Sequence, residues 1–139
     1  MQINVVVVDD EPIDRYMVKR RFSKIDLFND VDEAESGEEF LARYFNSKQP
    51  DNGHVPLLVL MDINMPRLDG FATIAEMENR QNAGFGPTNV LVMMFSSSNN
   101  PKDRQKANQL ASVKGYIVKP IEKRHIDEIK SLISQELPG

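Results

Sequence analysis

Apolar and polar positions along the chain fall into two alternating rhythms. Ile3 to Val8 is almost wholly apolar and rich in β-branched residues, the pattern of a strand buried on both faces. Ile13, Met17, Phe22 and Ile25 then recur at near-helical spacing, with Asp10 or Glu11 as cap and Pro12 in the first turn. Val31 to Ala34 is a poor, acidic strand candidate, after which Ser36-Gly37 opens a helix with Phe40, Leu41, Tyr44 and Phe45 on one face. Asn46 to Pro56 reads as loop. Leu57 to Met61 is a third strand, Met65-Pro66 a turn, and a helix from about Gly70 carries Phe71, Ile74 and Ala75. Gln81 to Asn89, with two glycines and Pro87, breaks that helix. Val90 to Phe95 predicts a fourth strand, Asp103 to about Ser112 a fourth helix, and Tyr116 to Val118 a short fifth strand. A last helix places Ile126, Ile129, Leu132, Ile133 and Leu137 along one side.

Strands and helices in strict alternation predict a doubly wound α/β domain, a parallel sheet covered on both faces. Strands one, three and four are continuously apolar and belong inside; the acidic second and the short fifth belong at the edges. The expected order is 2-1-3-4-5, the flavodoxin-like (βα)5 arrangement. A chain of 139 residues is long enough for one proper core. Only Pro138 and Gly139 follow the last helix, so the expectation is a single domain with no output domain.

Composition removes several function classes. A net charge of −4 argues against nucleic acid as the main partner, and the absence of cysteine excludes a thiol nucleophile or a thiolate metal site. No apolar run reaches the roughly 20 residues of a membrane span and no basic leader precedes the first strand, so a cytoplasmic protein without membrane contact is expected.

In this class of sheet, ligands bind outside the carboxyl ends of the strands. Strand one ends in Asp9-Asp10, strand three in Asp62, strand four in Ser96-Ser97-Ser98 and strand five in Lys119-Pro120. Adjacent acids at the end of a greasy strand repel one another unless a cation joins them. Oxygen ligands alone select a hard ion, and Mg²⁺ is the natural choice. A carboxylate beside Mg²⁺, a lysine and a hydroxyl has what is needed to accept a phosphoryl group: nucleophile, metal and donors for the remaining oxygens.

VVVVDDEP, LVLMDINMPRLDG, FSSS and GYIVKP, in this order and over essentially the whole chain, resemble the receiver domain of two-component response regulators. The resemblance implies that Asp62 is the phosphoacceptor, served by a histidine kinase, a histidine phosphotransfer protein or acetyl phosphate. It implies that Asp9, Asp10, Asp62 and the backbone carbonyl of Asn64 hold Mg²⁺, and that Lys119 pairs with phosphoryl oxygens. Ser96 is the switch hydroxyl by counting from the strand, whereas counting back from Lys119 favours Ser97; Tyr116 is the switch aromatic. Asn64 and Ser98 are the positions expected to tune hydrolysis, and Pro66, Gly70 and Pro120 are structural, with a cis Lys119-Pro120 bond. The implied output is a shift of the surface formed by helix four, strand five and helix five, acting on a separate downstream protein. A phosphate shuttle or sink in a phosphorelay is the alternative. Such a domain is a phosphoacceptor that promotes its own phosphorylation and dephosphorylation rather than a conventional enzyme.

Plainer readings stand beside these. Asp62-Ile-Asn64 is also a polar turn after a strand, Lys119 a snorkelling surface lysine, and Tyr116 an edge-strand packing residue. Arg15, Lys19, Arg20 and Arg21 read as a solvated helix face or a kinase docking surface. Gly84 to Pro87 lacks the spacing of a phosphate cradle, and His54 and His125 lie away from the motifs. A haloacid dehalogenase type phosphatase wants a second acid two residues after its nucleophile, where this chain has Asn64; a flavodoxin-like redox protein wants hydroxyls and glycine after strand one, where it has acids. A phosphate-independent binding module is the remaining possibility, although no key side chain is missing.

Overall fold

The computed structural model describes residues 2–48 and 55–136; Leu137 and His54 lie outside them. Five strands and five helices alternate: β1 Ile3–Val8, α1 Pro12–Phe22, β2 Phe28–Ala34, α2 Gly37–Tyr44, β3 Leu57–Met61, α3 Gly70–Asn82, β4 Val90–Ser96, α4 Pro101–Asn108, β5 Val113–Val118 and α5 Lys123–Glu136. All neighbouring strands pair in parallel, in the order β2-β1-β3-β4-β5. Among the described residues no helix is long and apolar enough to cross a membrane.

Strand periodicity of two divides the core between the faces of the sheet. Val5, Val7, Leu58, Leu60, Leu91, Met93 and Phe95 pack with Val18 and Phe22 of α1 and Ile126, Ile129 and Ile133 of α5. Val6, Val8, Val59, Met61, Val92 and Met94 pack with Phe40 and Leu41 of α2, Ile74 and Met77 of α3 and Ala107 of α4. Helix starts are set locally: the side chains of Glu11, Ser36, Asp69 and Asn100 accept from the backbone N–H of Ile13, Glu39, Ala72 and Lys102. At α5 the imidazole does this work, Nδ1 of His125 accepting from Glu122 N–H at 2.9 Å.

Several sequence expectations need correction. Ile13, the first of the apolar positions recurring at near-helical spacing, is 69% exposed, and the buried side of α1 joins Phe22 to Arg15 and Val18. Arg15 is therefore not part of a solvated face. Its Nη1 donates to the carbonyl of Asp9 at 2.8 Å, and its guanidinium pairs with Glu33 at 3.1 Å and Glu35 at 3.4 Å. Glu33, one of the acids that made β2 look poor, is thus a charge partner of α1, and β2 runs from Phe28 rather than Val31. β5 begins at Val113, three residues earlier than read; Gly115 hid the strand, yet its missing Cβ is what admits Met93, whose Cε would stand 2.4 Å from one. α4 is Pro101–Asn108, started by Asn100 and ended before Ser112, whose N–H and hydroxyl are held by Glu78. Within the segment read as loop, Lys48 forms an isolated bridge with Phe85.

Candidate functional site

The backbone ladder continues one residue past the strands and so fixes the site's side chains to the sheet. Asp9 N–H donates to Ala34 O at 3.0 Å, Asp62 N–H to Val8 O at 2.9 Å and Lys119 N–H to Ser96 O at 2.8 Å. β1, β3, β4 and β5 therefore deliver Asp9, Asp62, Ser96 and Lys119 to one edge, as the topology requires. Behind β3, Gly70 N–H donates to Ile63 O at 2.8 Å, and a Cβ on Gly70 would stand 2.1 Å from Asp62 O. α3 can approach the loop after Asp62 this closely only because Gly70 has no side chain. Leu68 N–H closes a turn on Pro66 O at 2.8 Å, with Arg67 between them at a φ of 69°. Lys119-Pro120 is cis, as expected.

One carboxylate oxygen from each of Asp9, Asp10 and Asp62 lies within 4.8 Å of the other two. Asp9 and Asp62 are buried and Asp10 is exposed. Asp9 Oδ1 accepts from Glu11 N–H at 3.0 Å. Its buried Oδ2 lies 2.8 Å from the Lys119 ammonium. The same ammonium lies 2.8 Å from Asp14 and 3.4 Å from Asp62, and 5.0 Å from the centre of the Phe95 ring.

The electrostatics follow from too few cations for the buried acids. Burial, with the charge of Asp9 added, pushes Asp62 up to about 7 despite Lys119. Asp9 is raised by burial too, while Lys119 and Glu11 N–H pull the other way. Burial works against the charged form of Lys119, but the carboxylates of Asp14, Asp9 and Asp62 outweigh it and hold the lysine above its ordinary value. Three converging carboxylates, two of them buried, offer a metal oxygen ligands and fit a hard divalent cation.

Ser96 is fully buried at the end of β4, where its Oγ accepts from Ser98 N–H at 3.0 Å, whereas Ser97 is exposed. That places Ser96, not Ser97, inside. Asn64 is exposed in the loop after Asp62, and Ser98 is half-buried. Tyr116 is half-buried on β5; its hydroxyl donates to Ser98 O at 2.7 Å, and Arg104 lies 4.6 Å over its ring. His125 shares a surface cavity with Tyr116 and Arg104, nearer to the motifs than its sequence position suggests.

Two site residues escaped the sequence reading. Asp14 looks like an ordinary acid in the first turn of a helix, and Arg15 like one member of a basic run. Their spacing from Asp10 was a usable signal, because residues four and five past it fall in the first turn of α1 and return toward the same edge.

The family model for the response regulator receiver domain matches residues 5–130. The positive alginate biosynthesis regulatory protein of Pseudomonas aeruginosa is 30% identical over 126 residues, 91% of this chain and 45% of that protein. Protein PilG of the same organism is 30% identical over 137 residues, 99% of this chain and 89% of that protein. The chain spans about half the length of most of the curated relatives it matches. Among solved structures, the CheX–CheY–BeF3–Mg complex of Borrelia burgdorferi superposes with a TM-score of 0.74 at 24% identity, covering 98% of this chain and 90% of that one. Chemotaxis protein CheY4 of Vibrio cholerae gives 0.68 at 22% identity, covering 99% and 100%.

Proposed function

Since the chain belongs to the response regulator receiver domain family, we propose that Asp62 accepts a phosphoryl group from a histidine kinase or a histidine phosphotransfer protein and relays the signal to a downstream protein. The observation that carries this is the buried Asp62 carboxylate set between the acids of Asp9 and Asp10 and the ammonium of Lys119. An Asp62 oxygen attacks phosphorus, the P–N bond to the donor imidazole breaks with its electron pair going to nitrogen, and an acyl phosphate remains. Asp9, Asp10, Asp62 and the Asn64 carbonyl would hold Mg²⁺, which when bound neutralises charge on the transferring oxygens. Lys119 supplies the opposing cation, and in-line attack by water later returns the carboxylate and inorganic phosphate. The chain thus promotes its own loading and unloading without turning over a separate substrate. Asn64 and Ser98 are the positions we assign to the rate of that unloading.

Phosphorylation replaces the single charge of the Asp62 carboxylate with a phosphoryl group carrying about two. These draw the Ser96 hydroxyl toward the phosphoryl group and away from Ser98 N–H. Tyr116, tied to the carbonyl of the same Ser98, is then free to leave Arg104 and move inward, shifting the α4–β5–α5 face between two states. We place this reaction in the cytoplasm.

Intact mass with acetyl phosphate and Mg²⁺ tests the reading. The wild type gains one phosphoryl group, Asp62→Asn gains none, and beryllofluoride blocks the adduct. An adduct retained by Asp62→Asn would move the acceptor elsewhere. No adduct, together with no thermal stabilisation by Mg²⁺ and beryllofluoride, would leave a constitutive binding module.

A further inference from the structure

Lys119 is held by a carboxylate that the reaction above does not use. Its Nζ lies 2.8 Å from Asp14 Oδ2, closer than the 3.4 Å to Asp62 Oδ1. Asp14 differs from the other acids in position and surroundings. It rises from the first turn of α1 rather than from a strand end, its side chain is 29% exposed against 8% for Asp62, and it stands outside the three carboxylates that converge. Its mount is rigid: Arg15 N–H donates to Glu11 O at 3.2 Å, and the Arg15 side chain clamps the carbonyl of Asp9 at 2.8 Å. The first turn of α1 is therefore fixed against the end of β1, and the helix N-terminus favours a carboxylate there.

We propose that Asp14 is a positioning residue that holds Lys119 back from the phosphoryl site and so limits how readily Asp62 is loaded. The inference rests on the receiver reading of Asp62. Two effects act in the same direction. Turning the ammonium toward phosphoryl oxygens loosens a charge-assisted hydrogen bond to Asp14, and the Asp14 charge repels an anionic donor as it enters. A cation bound by Asp9, Asp10 and Asp62 satisfies those acids but leaves Asp14 competing for the lysine.

Asp14→Asn keeps the shape and removes the charge. With Mg²⁺ present, calorimetry should show beryllofluoride bound roughly three- to tenfold more tightly, and acetyl phosphate should load Asp62 faster by a similar factor. Asp14→Glu, which keeps the charge, should stay close to wild type. In the metal-free protein the Lys119 ammonium signal, slowed in proton exchange by its carboxylate contacts, should broaden in Asp14→Asn. A poorly folded variant loses affinity rather than gaining it; if Asp14→Asn melts early, Asp14→Ser carries the same expectation. Unchanged or weaker beryllofluoride binding in both variants, with wild type binding normally, overturns the role of Asp14 alone. Wild type that binds no beryllofluoride overturns the receiver reading and this inference with it.

Discussion

Asp62 carries a proton in the metal-free protein up to about pH 7, where an unfolded chain releases it near the ordinary value of 3.8. Between those values the folded state binds more protons than the unfolded one, so stability falls as pH rises through that window and levels off above it. A divalent cation must displace that proton. Mg²⁺ affinity should therefore fall as pH drops from 8 to 6, by up to about tenfold per unit below 7, in titrations followed by thermal shift; a flat profile would contradict the assignment. Asp62→Asn removes the buried charge and should stabilise the metal-free protein at pH 8 by about 1–3 kcal/mol in urea denaturation, while flattening its pH dependence. Asp9, Asp62 and Lys119 were legible because each is the first polar residue after an apolar run, and Asp10 because it directly follows Asp9. Asp14 was not, because a helix N-terminus gives an acid a sufficient reason to be there.

Elements were legible where one face of the pattern was plainly apolar. β1, β3 and α5 matched closely, whereas α1, β2 and β5 were misread at the points where a charged or absent side chain does the work of a hydrophobic one. Arg15 is the clearest case. It ties α1 to the end of β1, to Glu33 of β2 and to Glu35 just past it, and Arg15→Met should cost about 3 kcal/mol in urea denaturation and weaken Mg²⁺ binding by releasing the Asp9 backbone. Gly70 makes the same point for α3. Gly70→Ala would drive a methyl into the Asp62 carbonyl, with a cost of about 1–3 kcal/mol and slower loading by acetyl phosphate.

Across the whole molecule, strand order was readable although one reason for it failed. β5 is as long as β1, and its place at the edge shows in its half-exposed side chains instead. Individual helices differ in how firmly they are held. α5 buries His125, Ile126, Ile129 and Ile133, whereas the buried contribution of α4 is Ala107. Amide exchange should be fast in α4, and Mg²⁺ with beryllofluoride should alter it in Pro101–Asn108 and Val113–Val118 while leaving β1 unaffected. β5 is also the last of the five strands to be synthesised. Asp9 and Asp62 leave the ribosome well before Lys119, which directly follows the last strand in the sequence and reaches them once β5 pairs with β4. A nascent chain thus displays its acids while their lysine is still to be translated, and the dissolved cations of the cell are the first partners it meets.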